Sequence, residues 1–272
     1  MVTVTSLCVG KELLIGKTVN TNAYWIGARL FGIGTTLDRV LIVTDSLDEI
    51  SSGLMELLAR KPDFIIVVGG LGPTPDDMTL KGIGLAIGKK VRLSAAALSL
   101  IRARYASIGR TFEITPARRK MAMLPEGSTP LPNGAGTAPG VRIEQSGAVI
   151  FCLPGVPREM KSIYKSGVHP EIRRKVGKLY TAKVIMHLMG VYESTLAPEI
   201  AAALKLHPSA YIKSHPKGVR EGKSSVELDM VVISTRKQEA ESECEEIARF
   251  FAGKIDEAGG SILKKVVSTV GR

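Results

Sequence analysis

The stretch "GGLGPTPDDMT", residues 69–79, joins a bare glycine loop to a pair of acids. Gly69, Gly70 and Gly72 let backbone N–H groups approach a ligand with no Cβ in the way. Such a loop suits phosphate oxygens, yet the adjacent Asp76 and Asp77 would repel phosphate unless a divalent cation bridges the two. Capping of a helix accounts for one acid, but leaves the second and the glycines unexplained. Thr74 reads as a helix cap with Pro75 at the first position, which predicts Asp77 in the first turn, near the positive helix end.

An apolar run, "FIIVV" (Phe64 to Val68), immediately precedes the loop and reads as a central parallel strand covered on both faces. The loop therefore starts at the carboxyl edge of a sheet, where ligands of open α/β folds bind. Four other loops are expected at that edge. "GKELLIGKTVNTN" offers Glu12, Asn20, Thr21 and Asn22, and "VTDSLDEI" offers Asp45. "NGAGTAPG" offers Asn133 and Thr137, and "CLPGVPREM" offers Gly155 and Glu159. Singly, such residues simply make turns; five polar loops at one edge are harder to dismiss.

Strand and helix signals alternate through the first half of the chain. Ser46 and Glu49 form a capping box before "LDEISSGLMELLARK", and Thr115 with Pro116 opens a helix through "ARRKMAML". Alternation of this kind predicts an α/β fold, a parallel sheet with helices on both faces, over residues 1–172. A small α+β domain is expected over 178–255, with a tail at 256–272 that reads equally as a strand or a frayed end.

The 272 residues are 44% hydrophobic and carry 37 Lys and Arg against 26 Asp and Glu. The balance of +11 suggests an anionic partner. The densest basic stretch, "RARYASIGRTFEITPARRK", reads first as solvated helix faces. No C2H2, RNP-like or basic-zipper pattern supports nucleic acid. The three cysteines, Cys8, Cys152 and Cys244, are widely spaced and read as reduced packing residues, and the histidines show no metal-ligand spacing. No apolar run is long enough to cross a bilayer and no basic leader precedes the first strand, so a soluble, cytoplasmic protein is expected.

Taken in order, "GKELLIGKTVNTN", "GGLGPTPDDMT", "NGAGTAPG" and "LPGVPREMK" resemble the amino-terminal part of the CinA (competence-damage-inducible) family, with "GVYES" and "YIKSHPKG" resembling its small second domain. The resemblance implies the molybdopterin-binding fold shared with MogA and MoeA, in which acids at the positions of Asp77 and Asp45 are essential. Longer relatives add a carboxy-terminal amidohydrolase, for which this sequence leaves no room. The resemblance implies metal-dependent cleavage of a nucleotide diphosphate, ADP-ribose being the first candidate substrate. Asp77, Asp76 and Asp45 are then catalytic, and Asp76, Asp77 and Glu12 hold Mg²⁺, Mn²⁺ or Co²⁺. Gly69, Gly70, Gly72, Pro73, Thr74, Thr79, Asn20, Asn22, Asn133, Thr137 and Gly155 line the substrate site, and Lys120 stabilises developing charge. Two alternatives stand beside this reading: a molybdopterin-binding protein of molybdenum cofactor synthesis, and a non-catalytic nucleotide-binding module. A homo-oligomer is expected, since relatives of this fold commonly associate.

Overall fold

The computed structural model describes residues 2–220 and 222–271. It forms two compact units: the first takes in the chain up to Val176 except Gly32–Gly34, which belong with the chain from Gly177 onward in the second. In chain order the first unit contains β1 (Val4–Val9), α1 (Lys11–Leu14), α2 (Thr21–Phe31), β2 (Leu37–Val43), α3 (Leu47–Ala59) and β3 (Phe64–Val68). Next come α4 (Thr79–Ala86), β4 (Val91–Leu93), α5 (Ala95–Ser107), α6 (Pro116–Met121), β5 (Met123–Pro125) and β6 (Thr129–Leu131). β7 (Gly140–Gln145), β8 (Ala148–Leu153), α7 (Pro157–Ile163), a π-helical turn (Tyr164–Val168) and α8 (His169–Val176) complete it.

Its main sheet has the order β2-β1-β3-β8-β7-β6. β2, β1, β3 and β8 run parallel, β7 runs antiparallel to β8, and β6 runs antiparallel to β7. β3 lies inside the parallel half with all five residues buried, as its unbroken apolar sequence requires. Side chains alternate between the faces. Leu7, Val9, Ile65, Val67 and Ile150 pack with Leu54 and Leu57 of α3 and Ile83 of α4. Cys8, Ile66 and Leu153 point to the other face, where Phe64 stacks on Phe151 at 6.2 Å between ring centroids. The chain is thus an α/β protein with helices on both faces of a mainly parallel sheet.

Caps set the helix starts. Ser46 accepts from the Glu49 N–H at 3.2 Å, and Thr115 accepts from the Arg118 N–H at 3.3 Å. The basic stretch over α5 and α6 is largely consumed by internal contacts: Arg118 lies 4.1 Å above Tyr105, and Arg102 lies 5.5 Å from the Phe112 ring. The three cysteines are free and buried, and burial pushes the Cys152 thiol up to about 12.

The second unit contains β9 (Tyr180–Met189), α9 (Glu193–Leu206), β10 (Tyr211–Arg220), β11 (Lys223–Ser234), α10 (Lys237–Glu257) and β12 (Ser261–Gly271). They build an antiparallel sheet of order β10-β11-β9-β12. Val184, Met186, Leu228 and Met230 form its core with Ile247 and Phe251 of α10. The terminal segment is an edge strand. No described helix is long and apolar enough to cross a membrane.

Candidate functional site

Because β2, β1, β3 and β8 are parallel, the segments after Val43, Val9, Val68 and Leu153 emerge at one edge. Backbone bonds tie them together: Gly10 N–H donates to Val43 O at 3.0 Å, and Gly69 N–H to Leu153 O at 2.9 Å. Between them lies a cleft of about 390 Å³ lined by Glu12, Asp45, Gly69, Gly70, Gly72, Pro73, Asp76, Asp77, Thr137 and Gly155. All ten are positions that the sequence placed at a site. Glu159, Val9, Leu71, Met121, Ala138, Pro154 and Val156 complete the lining, and no lysine or arginine contributes to it. Apart from Glu159, these added residues are apolar and carry no signal of chemistry in the sequence.

The glycine loop differs from expectation in one important way. The helix begins at Thr79, not Pro75, and Met78 precedes it with no side-chain cap. Asp77 is therefore outside the helix and closes a turn. Its Oδ2 accepts from Thr74 N–H at 2.8 Å and from Thr74 Oγ1 at 2.6 Å, while Asp77 N–H donates to Thr74 O at 3.1 Å. Thr74 spends its hydroxyl on this turn rather than on a ligand. It also holds the neighbouring Asp76 carboxyl below its ordinary value, aided by the Asp76 backbone N–H.

All three loop glycines are crowded: Gly69 has φ +111°, and a Cβ on it would collide with the Val9 carbonyl oxygen. Gly70 has φ +64°, and a Cβ on it would collide with the Thr79 hydroxyl. A Cβ on Gly72 would run into the Asp77 carboxylate. Thr79 is fully buried; its Oγ1 donates to Gly69 O at 2.8 Å, so it fixes the loop and does not reach the cleft. Among the described residues, the backbone N–H groups of Gly70, Leu71 and Gly72 donate to no protein acceptor.

Lys120 has a different role from the one expected. Its Nζ donates to the carbonyl oxygens of Gly72 at 3.2 Å and Asp77 at 2.8 Å, and also to that of Thr74. Three carbonyls use all three ammonium protons, leaving none for a transition state. Lys120 is a clasp on the loop. Burial, first, pulls its ammonium below the usual lysine value, against the opposing pull of the Asp77 charge.

Asn133 is likewise structural. It is buried, and its amide donates to Ala138 O at 2.8 Å and to Glu159 Oε2 at 2.6 Å. Its Oδ1 accepts from the N–H groups of Ala135 at 3.0 Å and Gly136 at 2.8 Å. Asn133 shapes the loop that places Thr137 in the cleft, and it orients Glu159.

Asn20 caps α2 through Ala23 N–H at 3.0 Å, and Asn22 donates to Gly155 O at 2.8 Å. Both line a smaller neighbouring pocket of about 100 Å³ that shares Val9, Glu12 and Gly155 with the cleft. Asp45 bridges two loops by accepting from Lys11 N–H at 2.9 Å. The carboxylates of Glu12, Asp45, Asp76, Asp77 and Glu159 line one cleft. Among the described residues no three His, Cys, Asp or Glu side chains are gathered closely enough to hold a metal ion. The expected Asp76, Asp77 and Glu12 ligand set is therefore not assembled by the protein alone.

An open, mainly parallel sheet with an acid-lined cleft at its carboxyl edge places the chain among α/β proteins of doubly wound type, whose ligands, where they bind any, sit at that edge. Residues 5–174 match the family model described as "Probable molybdopterin binding domain". The chain belongs to that family. It is 37% identical over 242 residues to a protein of Pyrobaculum arsenaticum, covering 89% of this chain and 90% of that one. A protein of Aeropyrum pernix is 38% identical over 256 residues, 94% of either chain. The structure of the protein CinA, of unknown function, from Thermoplasma acidophilum is similar with a TM-score of 0.57 and 39% identity. It covers 62% of this chain and 98% of its own.

Proposed function

We propose that the cleft binds a phosphorylated pterin of the molybdopterin class. The family match over residues 5–174 carries this reading. The donor set of the cleft supports it. A pterin presents amino and ring N–H groups along one edge, and Glu12, Asp45, Asp76, Asp77 and Glu159 supply acceptors with no competing cation in the lining. Leu71, Met121 and Ala138 offer apolar contact to a ring face, and the free N–H groups of the glycine loop can donate to ligand oxygens.

A second reading, metal-dependent hydrolysis of a nucleotide diphosphate such as ADP-ribose, is supported by one observation. Glu12, Asp45, Asp76 and Asp77 converge on a single cleft. A Mg²⁺, Mn²⁺ or Co²⁺ ion held there would neutralise pyrophosphate charge. Since among the described residues no three acids are gathered, such an ion would draw on water and ligand oxygens for the rest of its shell.

One comparison separates the two. A pterin phosphate is titrated by its own fluorescence, and ADP-ribose cleavage is followed by AMP release with Mg²⁺, Mn²⁺ and Co²⁺. The pterin reading expects saturable binding that weakens about tenfold or more, at least 1.4 kcal/mol, in Asp77→Asn. Asn can keep both Thr74 bonds through its Oδ1 but turns an amide N–H₂ into the cleft. Metal-dependent AMP release without pterin binding would transfer the assignment to the hydrolase; the absence of both would reject both. We also propose a cytoplasmic homo-oligomer. The segment beside the cleft exposes Leu14 by 52%, Ile15 by 63%, Val19 by 79% and Tyr24 by 81%, an apolar surface suited to a second copy.

A further inference from the structure

Many cations of this chain are already engaged. Arg39 meets Glu56, Arg142 meets Glu171, Lys175 meets Asp63, and Lys120 holds its three carbonyls. Arg29, Arg158, Lys161 and Lys165 are among the cations whose side chains, within the described residues, make no ion pair or hydrogen bond with the protein, and what sets them apart is that they stand together. Arg158, Lys161 and Lys165 are spaced three and then four residues apart, so α7 and the π-helical turn carry them on one face. With Ala135 and Ser162 they line an open concavity of about 700 Å³. Trp25 adds a fourth charge: the Arg29 guanidinium stands 5.1 Å and the Lys161 ammonium 5.6 Å from its ring centroid. That ring steadies cations that would otherwise only repel one another.

The concavity adjoins the acidic cleft. Val156 and Glu159 line the cleft, while Pro157 and Arg158, between them in sequence, line the concavity. On the facing loop, Thr137 and Ala138 belong to the cleft and Ala135 to the concavity. Charge is thus segregated across one loop and one helix start, acids on one side and unpaired cations on the other. A ligand with N–H donors at one end and phosphate oxygens at the other matches both halves, whereas five carboxylates make the cleft itself a poor seat for phosphate.

We infer that Arg158, Lys161 and Lys165 form a seat for a phosphate or pyrophosphate group, either the anionic end of the ligand held in the cleft or a separate anion. The guanidinium fork can take two oxygens at once and the ammonium groups act as point charges. The first source rests on the pterin reading above; the seat itself does not.

Trp25 is the sole tryptophan and lies under two of the cations, so its fluorescence reports on the seat. The test titrates wild type with inorganic pyrophosphate, then repeats the titration with the double variant Arg158→Glu, Lys165→Glu. That variant keeps Lys161 over the reporter and changes only exposed side chains. A saturable change that weakens with salt, and at least tenfold in the variant, is the expected result. The control Lys90→Glu, Arg110→Glu carries the same charge change elsewhere and should bind as wild type does. No saturable response, equal affinity in the variant, or an equal loss in the control overturns the seat. A pterin phosphate and its dephosphorylated form then identify the source. An affinity gain from the phosphate that vanishes in the variant assigns the seat to the cleft's ligand. A gain that persists while pyrophosphate binding is lost assigns it to a separate anion, and the seat stands in either case.

Discussion

Replacing Lys120 by Met removes the ammonium that gathers three loop carbonyls while retaining most of the aliphatic stem. Hydrogen bonds to a charged group contribute about 1.5–3 kcal/mol each, but three that share one partly exposed donor do not add. A total loss of about 3 kcal/mol is the working value, roughly two decades in the ratio of closed to open loop. The loss should stay local, since the clasp touches Gly72, Thr74 and Asp77 and no core strand. Hydrogen exchange resolves this directly. The N–H groups of Thr74, Asp77 and Thr79 are bonded to Asp77 Oδ2, Thr74 O and Gly70 O, respectively, and should lose about a hundredfold in protection. Amides of β3 should exchange as in wild type. Lys120→Arg should fall between, because a planar fork cannot reach three converging carbonyls as a compact ammonium does. Unchanged protection in the loop, or equal loss in β3, would refute the clasp.

Three further outcomes follow from the geometry. Gly70→Ala forces a side chain into φ +64° and against Thr79, so melting should show a loss of about 1–3 kcal/mol and ligand titration a weakened cleft. Asn133→Ala strips four hydrogen bonds from a buried site and should lower the melting temperature by about 5–10 °C while releasing Glu159. The Arg142 guanidinium, first, holds Glu171 below its ordinary 4.5. Its folded value is thus depressed, and the stabilisation is full above pH 4.5 and lost as pH falls through the folded value. Thermal melts of Glu171→Gln across the acid range should lack that loss; parallel curves for wild type and variant would contradict it.

What the sequence revealed and what it concealed divide by range. "FIIVV" announces a buried parallel strand by its unbroken apolar run, and Ser46 and Thr115 announce their helices because a cap acts within three residues. Convergence of Glu12, Asp45, Asp76, Asp77 and Thr137 followed from parallel strands sharing an edge. Thr-Pro-Asp-Asp misled because the same residues suit a helix start and a closed turn. The choice was made by distant partners, with Thr79 bonded to Gly69 and Lys120 reaching back to Gly72. Lys120 and Asn133 are indistinguishable from ligand residues in a linear reading, since their partners lie across folded loops. Short elements such as α1, β4 and the π-helical turn hold too few residues for any periodicity to show.

The strand order also governs when the cleft can exist. Phe64 of β3 pairs with Val149 of β8, with several helices and strands of chain between them. Closing so long a loop costs entropy before any pairing rewards it, which makes such sheets slow to fold. On a ribosome, the glycine loop is therefore exposed before the strand that completes its surroundings has emerged. The acids remain solvated and mutually indifferent until β8 docks beside β3. A ligand of the cleft can therefore bind only once the sheet is complete, and such a ligand present during refolding should accelerate nothing before that step.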